Sequence, residues 1–82
     1  MKLLRIGFGN AVVAERVRKI ISLKSASGKR WRHEANQFGK LIDATAGRQT
    51  RTLLITDSGH LILSCLTPEI LEERLQQLLS EP

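Results

Sequence analysis

The alternation of apolar and polar residues divides the chain into short strands and two helices. Residues 3–8 predict a first strand that ends at two closely spaced glycines. Residues 11–23 are rich in β-branched residues that also fit one face of a helix. We interpret them as an extended or mixed segment ending in a strand over residues 17–23. Residues 40–45 predict a further strand.

Capping residues predict the two helices. Ser25 or Ser27 is suited to cap a helix that continues to about Phe38, and Gly39 follows at a position that favours left-handed backbone. The Thr67-Pro68-Glu69 stretch starts a second helix, which extends to about residue 80. The apolar residues sharing one face are Trp31, Ala35 and Phe38 in the first helix and Leu71, Leu75 and Leu78 in the second.

A β-hairpin around Ser58-Gly59 is the clearest local signal. Apolar runs over residues 51–57 and 60–66 flank these two turn residues. A two-residue turn pairs Ile55 with Ile62, Leu54 with Leu63 and Leu53 with Ser64. One face then carries Leu53, Ile55, Ile62 and Leu66, and the other carries Leu54, Leu61, Leu63 and Cys65.

Apolar side chains on both faces of this hairpin imply that both faces are covered. Two short helices would just suffice within one protomer. A chain of 82 residues buries a second face more easily against another copy of itself. The pattern therefore favours a homo-oligomer.

Composition indicates one small globular domain over residues 1–82, with 41% hydrophobic and 26% charged residues. The single cysteine, Cys65, leaves no internal disulfide and favours a cytoplasmic location. No apolar run approaches the ~20 residues of a membrane span, and no signal-peptide pattern is present. We expect no membrane partner.

Charge is distributed unevenly along the chain. Residues 1–51 contain twelve of the thirteen Lys and Arg residues and three acidic residues. Residues 52–82 contain one basic and five acidic residues, and the whole chain has a net charge of +5. A basic surface beside an acidic end is typical of a protein with a polyanionic partner, although chance clustering on a solvated surface gives the same numbers.

The Gly7-x-Gly9 pair does not match a nucleotide-binding fingerprint, because Val12 stands where a third glycine is needed. The Gly28-Lys29-Arg30 stretch lacks the hydroxyl that follows lysine in a P-loop. An RNA-recognition strand is half matched, since Asn10 replaces the next aromatic. The simplest interpretation is a sharp turn in which Asn10 bonds to its own backbone and Phe8 packs in the core or at a subunit contact.

The histidine, cysteine and acidic residues of the sequence give little support for a catalytic site. His60 follows the hairpin turn and faces Asp57 across it, which an ion pair explains without catalysis. His33 lies within the basic helix. No cluster of His, Cys, Asp and Glu has metal-ligand spacing. We expect neither an enzyme nor a metal, cofactor or small-molecule substrate.

The loop from Asp43 to Arg51 contains a glycine, two threonine hydroxyls and two arginines, Arg48 and Arg51. Loop amides, hydroxyls and guanidiniums are the groups that hold a phosphate or enter a DNA groove. Two exposed arginines on a simple connection fit the loop equally well when it is taken alone. Two further basic clusters are Arg16, Arg18 and Lys19, and Lys29, Arg30 and Arg32.

An ordered series of short blocks carries a family resemblance. The blocks are IGFGN at 6–10, Arg16, KR at 29–30, LIDAT at 41–45, GRQTR at 47–51, DSGH at 57–60, ILS at 62–64 and TPE at 67–69. Over residues 5–74 the chain resembles the RemA family of bacterial regulators of extracellular-matrix genes. This resemblance implies a small α/β protomer that assembles into a ring, whose arginines bind DNA and wrap it.

Carried over by position, the DNA-contacting arginines implied by the resemblance are Arg16 and Arg48. Three residues depart from the family pattern: Gln49 replaces a second arginine, Ala46 replaces an aromatic residue, and Ser27 replaces a proline. The charge lost at Gln49 is compensated in our interpretation by Arg51, Lys29 and Arg30.

The sequence therefore predicts an α+β protein with a small, mostly antiparallel sheet of about four to five strands and two helices, assembled into a ring-like homo-oligomer. It would bind double-stranded DNA as a cytoplasmic transcription regulator, with specificity arising from DNA shape. Two alternatives stay open: an RNA-binding module, and a structural ring that binds a protein partner.

Overall fold

The computed structural model describes residues 1–81, which form six β-strands and two α-helices. In chain order they are β1 (Leu3–Gly7), β2 (Asn10–Val13), β3 (Val17–Ser22), α1 (Ala26–Gln37), β4 (Leu41–Asp43), β5 (Thr52–Thr56), β6 (Leu61–Ser64) and α2 (Pro68–Ser80). One 3-10 turn, Ala14–Arg16, connects β2 to β3. The predicted α+β class, both helices and the mixed segment that ends in a strand are confirmed.

The strands form two sheets, and this corrects the prediction of one sheet with four to five strands. β1 and β2 make an antiparallel pair, whereas the larger sheet has the order β3-β5-β6-β4. β4 runs parallel to β6, and Leu41 lies opposite Leu61. Because β6 lies between β4 and β5, residues 44–51 must cross the end of the sheet. Periodicity predicts a strand but does not say between which neighbours a later strand will lie.

Gly7, Phe8 and Gly9 make the tight turn between β1 and β2, which confirms the interpretation of these glycines as a backbone feature. Their φ angles are +107°, +53° and +78°. Glycine adopts this left-handed region at little cost, whereas the side chain of Phe8 makes the same conformation unfavourable. The turn lies against Cys65 and Leu66, at the end of β6.

The β5–β6 turn is one residue longer than predicted. Leu54 pairs with Ile62, and Leu53 pairs with Leu63. The Thr56 N–H donates to the His60 carbonyl (3.1 Å), so three residues lie in the loop and Gly59 takes a φ of +83°. A three-residue loop closed by a left-handed glycine is a common hairpin connection. The predicted register and face assignments are therefore wrong by one residue.

Both predicted helix caps are confirmed. The Ser25 hydroxyl accepts the Gly28 N–H (3.0 Å), and the Thr67 hydroxyl accepts the Ile70 N–H (3.4 Å). Each cap satisfies a backbone donor that has no partner within the helix. At the end of α1, Gly39 has a φ of +68°, as its predicted role requires.

Both faces of the larger sheet are covered by elements of the same chain. On one face, Leu54 and Ile62 pack in a buried cluster with residues of β1 and α2, including Leu4 and Leu71. On the other face, a cluster centred on Leu53, Leu61 and Leu63 contacts Ala35 of α1. The hairpin therefore does not require a second copy to cover it, which removes our sequence-based reason for expecting one.

Candidate nucleic-acid interface

The five basic residues predicted to bind DNA are all exposed: Arg16, Lys29, Arg30, Arg48 and Arg51. The fold brings four of them toward one end of the larger sheet. At this end the Leu23 N–H donates to the Arg51 carbonyl (3.1 Å), and the Arg51 N–H donates to the Ser64 carbonyl (2.9 Å). β3, β4 and β6 finish here, β5 starts here, and α1 starts just beyond β3.

We call this region the basic end and define it by Lys24, Lys29, Arg30, Arg48 and Arg51. Lys24 is a basic residue that the sequence did not single out; it follows β3 and borders a cavity together with Gln49 and Arg51. Its position between the end of a strand and the Ser25 cap is a signal that would have placed it here. Like charges on exposed side chains create a positive potential that attracts a polyanion.

Local hydrogen bonds shape the loop that carries Arg48. The Asp43 carboxylate accepts the Thr45 hydroxyl (2.6 Å) and the Thr45 N–H (2.9 Å), while the Arg48 N–H donates to the Thr45 carbonyl (3.0 Å). These bonds from Thr45, the hydroxyl first and then the N–H, lower the pKa of Asp43. Ala46 and Gly47 follow with φ angles of +53° and +81°. The backbone that positions Arg48 is thus a defined turn.

The turn between β1 and β2 contacts this loop. The guanidinium carbon of Arg48 lies 4.8 Å from the centre of the Phe8 ring, within the range of a cation–π interaction. Phe8 is 51% exposed, so of its two predicted locations the core is wrong, while the subunit contact stays a prediction; the strained turn holds the ring at the surface of the protomer. Asn10 donates to the Ala44 carbonyl (3.4 Å) instead of bonding to its own backbone.

Arg16 lies at the opposite end of the sheet, which we call the hairpin end because the β5–β6 turn is there. Its carbonyl accepts the Asp57 N–H (2.9 Å), whereas Arg51 precedes β5 at the other end. Six residue steps along an extended strand separate the two ends by about 20 Å. The structure therefore does not bring Arg16 and Arg48 together within one protomer.

Asp57 pairs with two arginines at the hairpin end. Its carboxylate lies 3.6 Å from a guanidinium nitrogen of Arg16 and 3.9 Å from one of Arg18. The predicted contact between His60 and Asp57 is wrong, since the His60 Nδ1 is 2.8 Å from the Ser58 hydroxyl. The longer turn places Ser58 beside His60 and leaves Asp57 to the arginines.

Lys29 and Arg30 are the fourth and fifth residues of α1, close to its Ser25 cap. Gly28, which precedes them, is buried, and a Cβ there would lie 2.7 Å from the Ser22 carbonyl oxygen. This close approach presses the start of α1 against the end of β3. The two basic side chains accordingly project from a fixed backbone at the basic end.

The structure shows no metal centre in residues 1–81, where no group of three or more His, Cys, Asp and Glu side chains is suitably arranged. Over the same residues, no helix has the length and apolar composition needed to cross a membrane.

Comparison with known proteins places the chain in a family. A family described as RemA-like, Extracellular matrix regulatory protein A-like, matches residues 3–75. A protein of Pseudothermotoga lettingae named "Putative regulatory protein" is 51% identical over 79 residues, which cover 96% of this chain and 87% of the relative. A protein of the same name from Syntrophobacter fumaroxidans is 53% identical over 75 residues, covering 92% and 80%. The chain belongs to the RemA-like family.

Proposed function

We propose that this protein is a non-enzymatic transcription regulator that binds double-stranded DNA as a ring-like homo-oligomer in the cytoplasm. One observation carries the proposal: four exposed basic residues predicted from sequence, with Lys24 beside them, converge on one end of the sheet. Membership of the RemA-like family and the regulatory names of its relatives support the regulatory role.

The side chains of the basic end are suited to a phosphate backbone. Arginine offers a planar fork of N–H donors that fits phosphate oxygens and a narrow minor groove. Within residues 1–81, Arg48 and Arg51 form no salt bridge with an acidic side chain, whereas Arg16 and Arg18 share Asp57. Glu69 borders the same cavity as Arg51. The five basic side chains of the basic end outnumber this carboxylate and leave a local excess of positive charge.

The spacing of the two arginine sites favours an assembly. Arg16 lies at one end of β5 and Arg48 lies toward the other, and the six residue steps between these ends span about 20 Å. Copies joined in a ring would repeat both sites along a curved track, so that many weak contacts act together on a bent duplex. Within residues 1–81, exposed large apolar residues other than the two phenylalanines are available for subunit contacts: Met1, Leu3, Ile42, Ile70 and Leu79.

A salt titration tests the proposal. Purified protein, with its oligomeric mass measured, is titrated with a long duplex at several salt concentrations. Each phosphate contact contributes about −0.9 to the slope of log affinity against log salt. We expect a steep slope in the wild type and a shallower slope in Arg48→Ala and Arg16→Ala.

Arg74→Ala is the matched control, because it removes the same charge from an exposed residue of the acidic helix α2. Loss of binding that is equal in all three variants would indicate a general charge effect and reject the assigned site. No duplex binding by the wild type would reject the proposal. Tighter binding to single-stranded RNA would favour the RNA-binding alternative.

A further inference from the structure

Two strained backbone positions occur side by side at the basic end. Within the described part of the chain, Phe8 and Ala46 are the non-glycine residues with positive φ, and both angles are +53°. Positive φ is uncommon for residues with a side chain and is disfavoured for bulky ones. Such strain persists only when the surrounding structure enforces it, and it concentrates at functional sites.

Contacts between the two strained turns enforce this arrangement. The Asn10 side chain donates to the Ala44 carbonyl, and Arg48 lies over the Phe8 ring. A Cβ added to Gly9 or Gly47 would meet no atom within 4 Å, so the tips of both turns face open space. Contacts within the protein therefore hold the two turns in place, and the tips of both turns are accessible to a ligand.

An aromatic ring can hold a guanidinium without consuming its hydrogen-bond donors. The attraction acts through the face of the ring, so the N–H groups of arginine stay free to bind a phosphate. Fixing the side chain before binding also reduces the conformational entropy lost on binding. Phe8 is therefore placed to prepare Arg48 for a phosphate.

We propose that Phe8 is a positioning residue of the DNA interface: its ring fixes the guanidinium of Arg48 so that its N–H groups bind a phosphodiester of duplex DNA. This inference rests on the proposed function. Half the surface of Phe8 is exposed although the ring contacts Arg48. The turn holds the ring beside Arg48 despite the unfavourable positive φ of Phe8. A residue that served only to close the turn would not need an aromatic ring.

A double-mutant cycle tests the coupling between the two residues. Phe8→Leu keeps an apolar side chain but removes the aromatic face, Phe8→Tyr keeps the face, and Arg48→Ala removes the guanidinium. Phe8→Leu should weaken duplex binding by about two- to fivefold per protomer contact. Phe8→Tyr should bind like the wild type, and Phe8→Leu should cause no further loss when Arg48 is already alanine.

The salt dependence provides a second readout. Phe8→Leu keeps every charge, so its slope of log affinity against log salt should match that of the wild type, while Arg48→Ala should flatten it. Phe38→Leu, a change at the other exposed phenylalanine, is the matched control and should leave affinity unchanged. Each variant is compared at its measured oligomeric mass.

Losses from Phe8→Leu and Arg48→Ala that simply add would overturn the inference, because Phe8 would then act independently of Arg48. A change of oligomeric mass in Phe8→Leu would also overturn it and assign the ring to a subunit contact. If Arg48→Ala loses duplex binding and Phe8→Leu does not, this inference fails while the proposed function stands. If the wild type does not bind duplex DNA, both fail.

Discussion

The carboxylate of Asp57 holds Arg16 and Arg18 at the hairpin end, at distances of 3.6 and 3.9 Å. Replacing it in Asp57→Asn removes a negative charge next to the proposed Arg16 contact and releases both guanidiniums. Exposed ion pairs contribute up to about 1 kcal/mol, so we expect duplex affinity to rise by up to about fivefold per contact. The measurement is the same salt titration that tests DNA binding.

Glu72→Gln is the control for this change, since it also removes one exposed acidic charge but lies on α2. An equal gain in both variants would mean that net charge alone is responsible. Arg16 would then have no specific place at the interface.

Asp43 gives a residue-scale prediction for pH. Hydrogen bonds from Thr45 lower the pKa of its carboxyl below the ordinary value of 3.8. A lowered pKa in the folded state stabilises the protein above the unfolded pKa, and this stabilisation is lost as pH falls through the folded value. The urea midpoint of the wild type should therefore decline below about pH 4, and Asp43→Asn should decline less.

This comparison isolates one carboxyl from the seven other Asp and Glu residues of the chain, which both proteins share. Parallel declines in the two proteins would show that the bonds to Thr45 do not stabilise the charged form of Asp43.

At the scale of single residues, the sequence predicted the loop location of the charged residues better than contacts between distant side chains. Arg48 and Arg51 were placed on a glycine-containing loop, as observed, because turn chemistry is local. The contact between Phe8 and Arg48 joins residues 40 positions apart, and no periodicity encodes it. A phenylalanine is normally expected to be buried, and here the strained turn overrides that tendency.

At the scale of elements, a hydrogen bond from the Ser64 hydroxyl connects the larger sheet to the smaller one. It donates to the Ile6 carbonyl (2.9 Å), accepts the Leu66 N–H (3.1 Å), and is fully buried. Ser64→Ala leaves buried backbone groups without this partner, so we expect the free energy of unfolding to fall by about 1–3 kcal/mol. Urea denaturation followed by circular dichroism measures the loss.

Ser80→Ala serves as the comparison, because the Ser80 hydroxyl bonds only locally, to the Gln77 carbonyl at an exposed helix end. Its cost should stay within about 0.5 kcal/mol. Similar losses in the two variants would mean that water replaces the bond to Ile6. The turn that carries Phe8 directly follows Ile6, so Ser64→Ala should also weaken DNA binding if the proposed interface is correct.

At the scale of elements, capping and turn residues predicted both helices, whereas strand pairing was harder to predict. The hydroxyls of Ser25 and Thr67 accept N–H groups only three residues further along the chain, so the local sequence is enough to predict these caps. The register around Gly59 depends on a choice between two-residue and three-residue loops that the same sequence permits. The parallel position of β4 depends on where β6 packs, and this is a property of the whole sheet.

Across the whole molecule, uneven charge along the chain becomes uneven charge in space. Six of the twelve basic residues in the first 51 positions lie at the basic end or on α1, while four of the five acidic residues after position 51 lie on α2 or at its end. Charge is a sum over residues and survives errors of register, so the sequence could predict it. Assembly depends on surface complementarity between copies, and composition does not encode that complementarity.

The length of duplex needed for tight binding distinguishes a ring from independent protomers. The longest dimension of one protomer is 38 Å, which spans about 11 base pairs at 3.4 Å each. If protomers bind separately, affinity corrected for the number of overlapping sites should level off near that length. A ring with repeated arginine sites should instead gain affinity well beyond that length, because each added contact becomes intramolecular.

Duplexes of increasing length, titrated at one salt concentration, give the measurement. Arg48→Ala should reduce the gain per added length more than Arg74→Ala, and a plateau near 11 base pairs for the wild type would argue against wrapping on a ring.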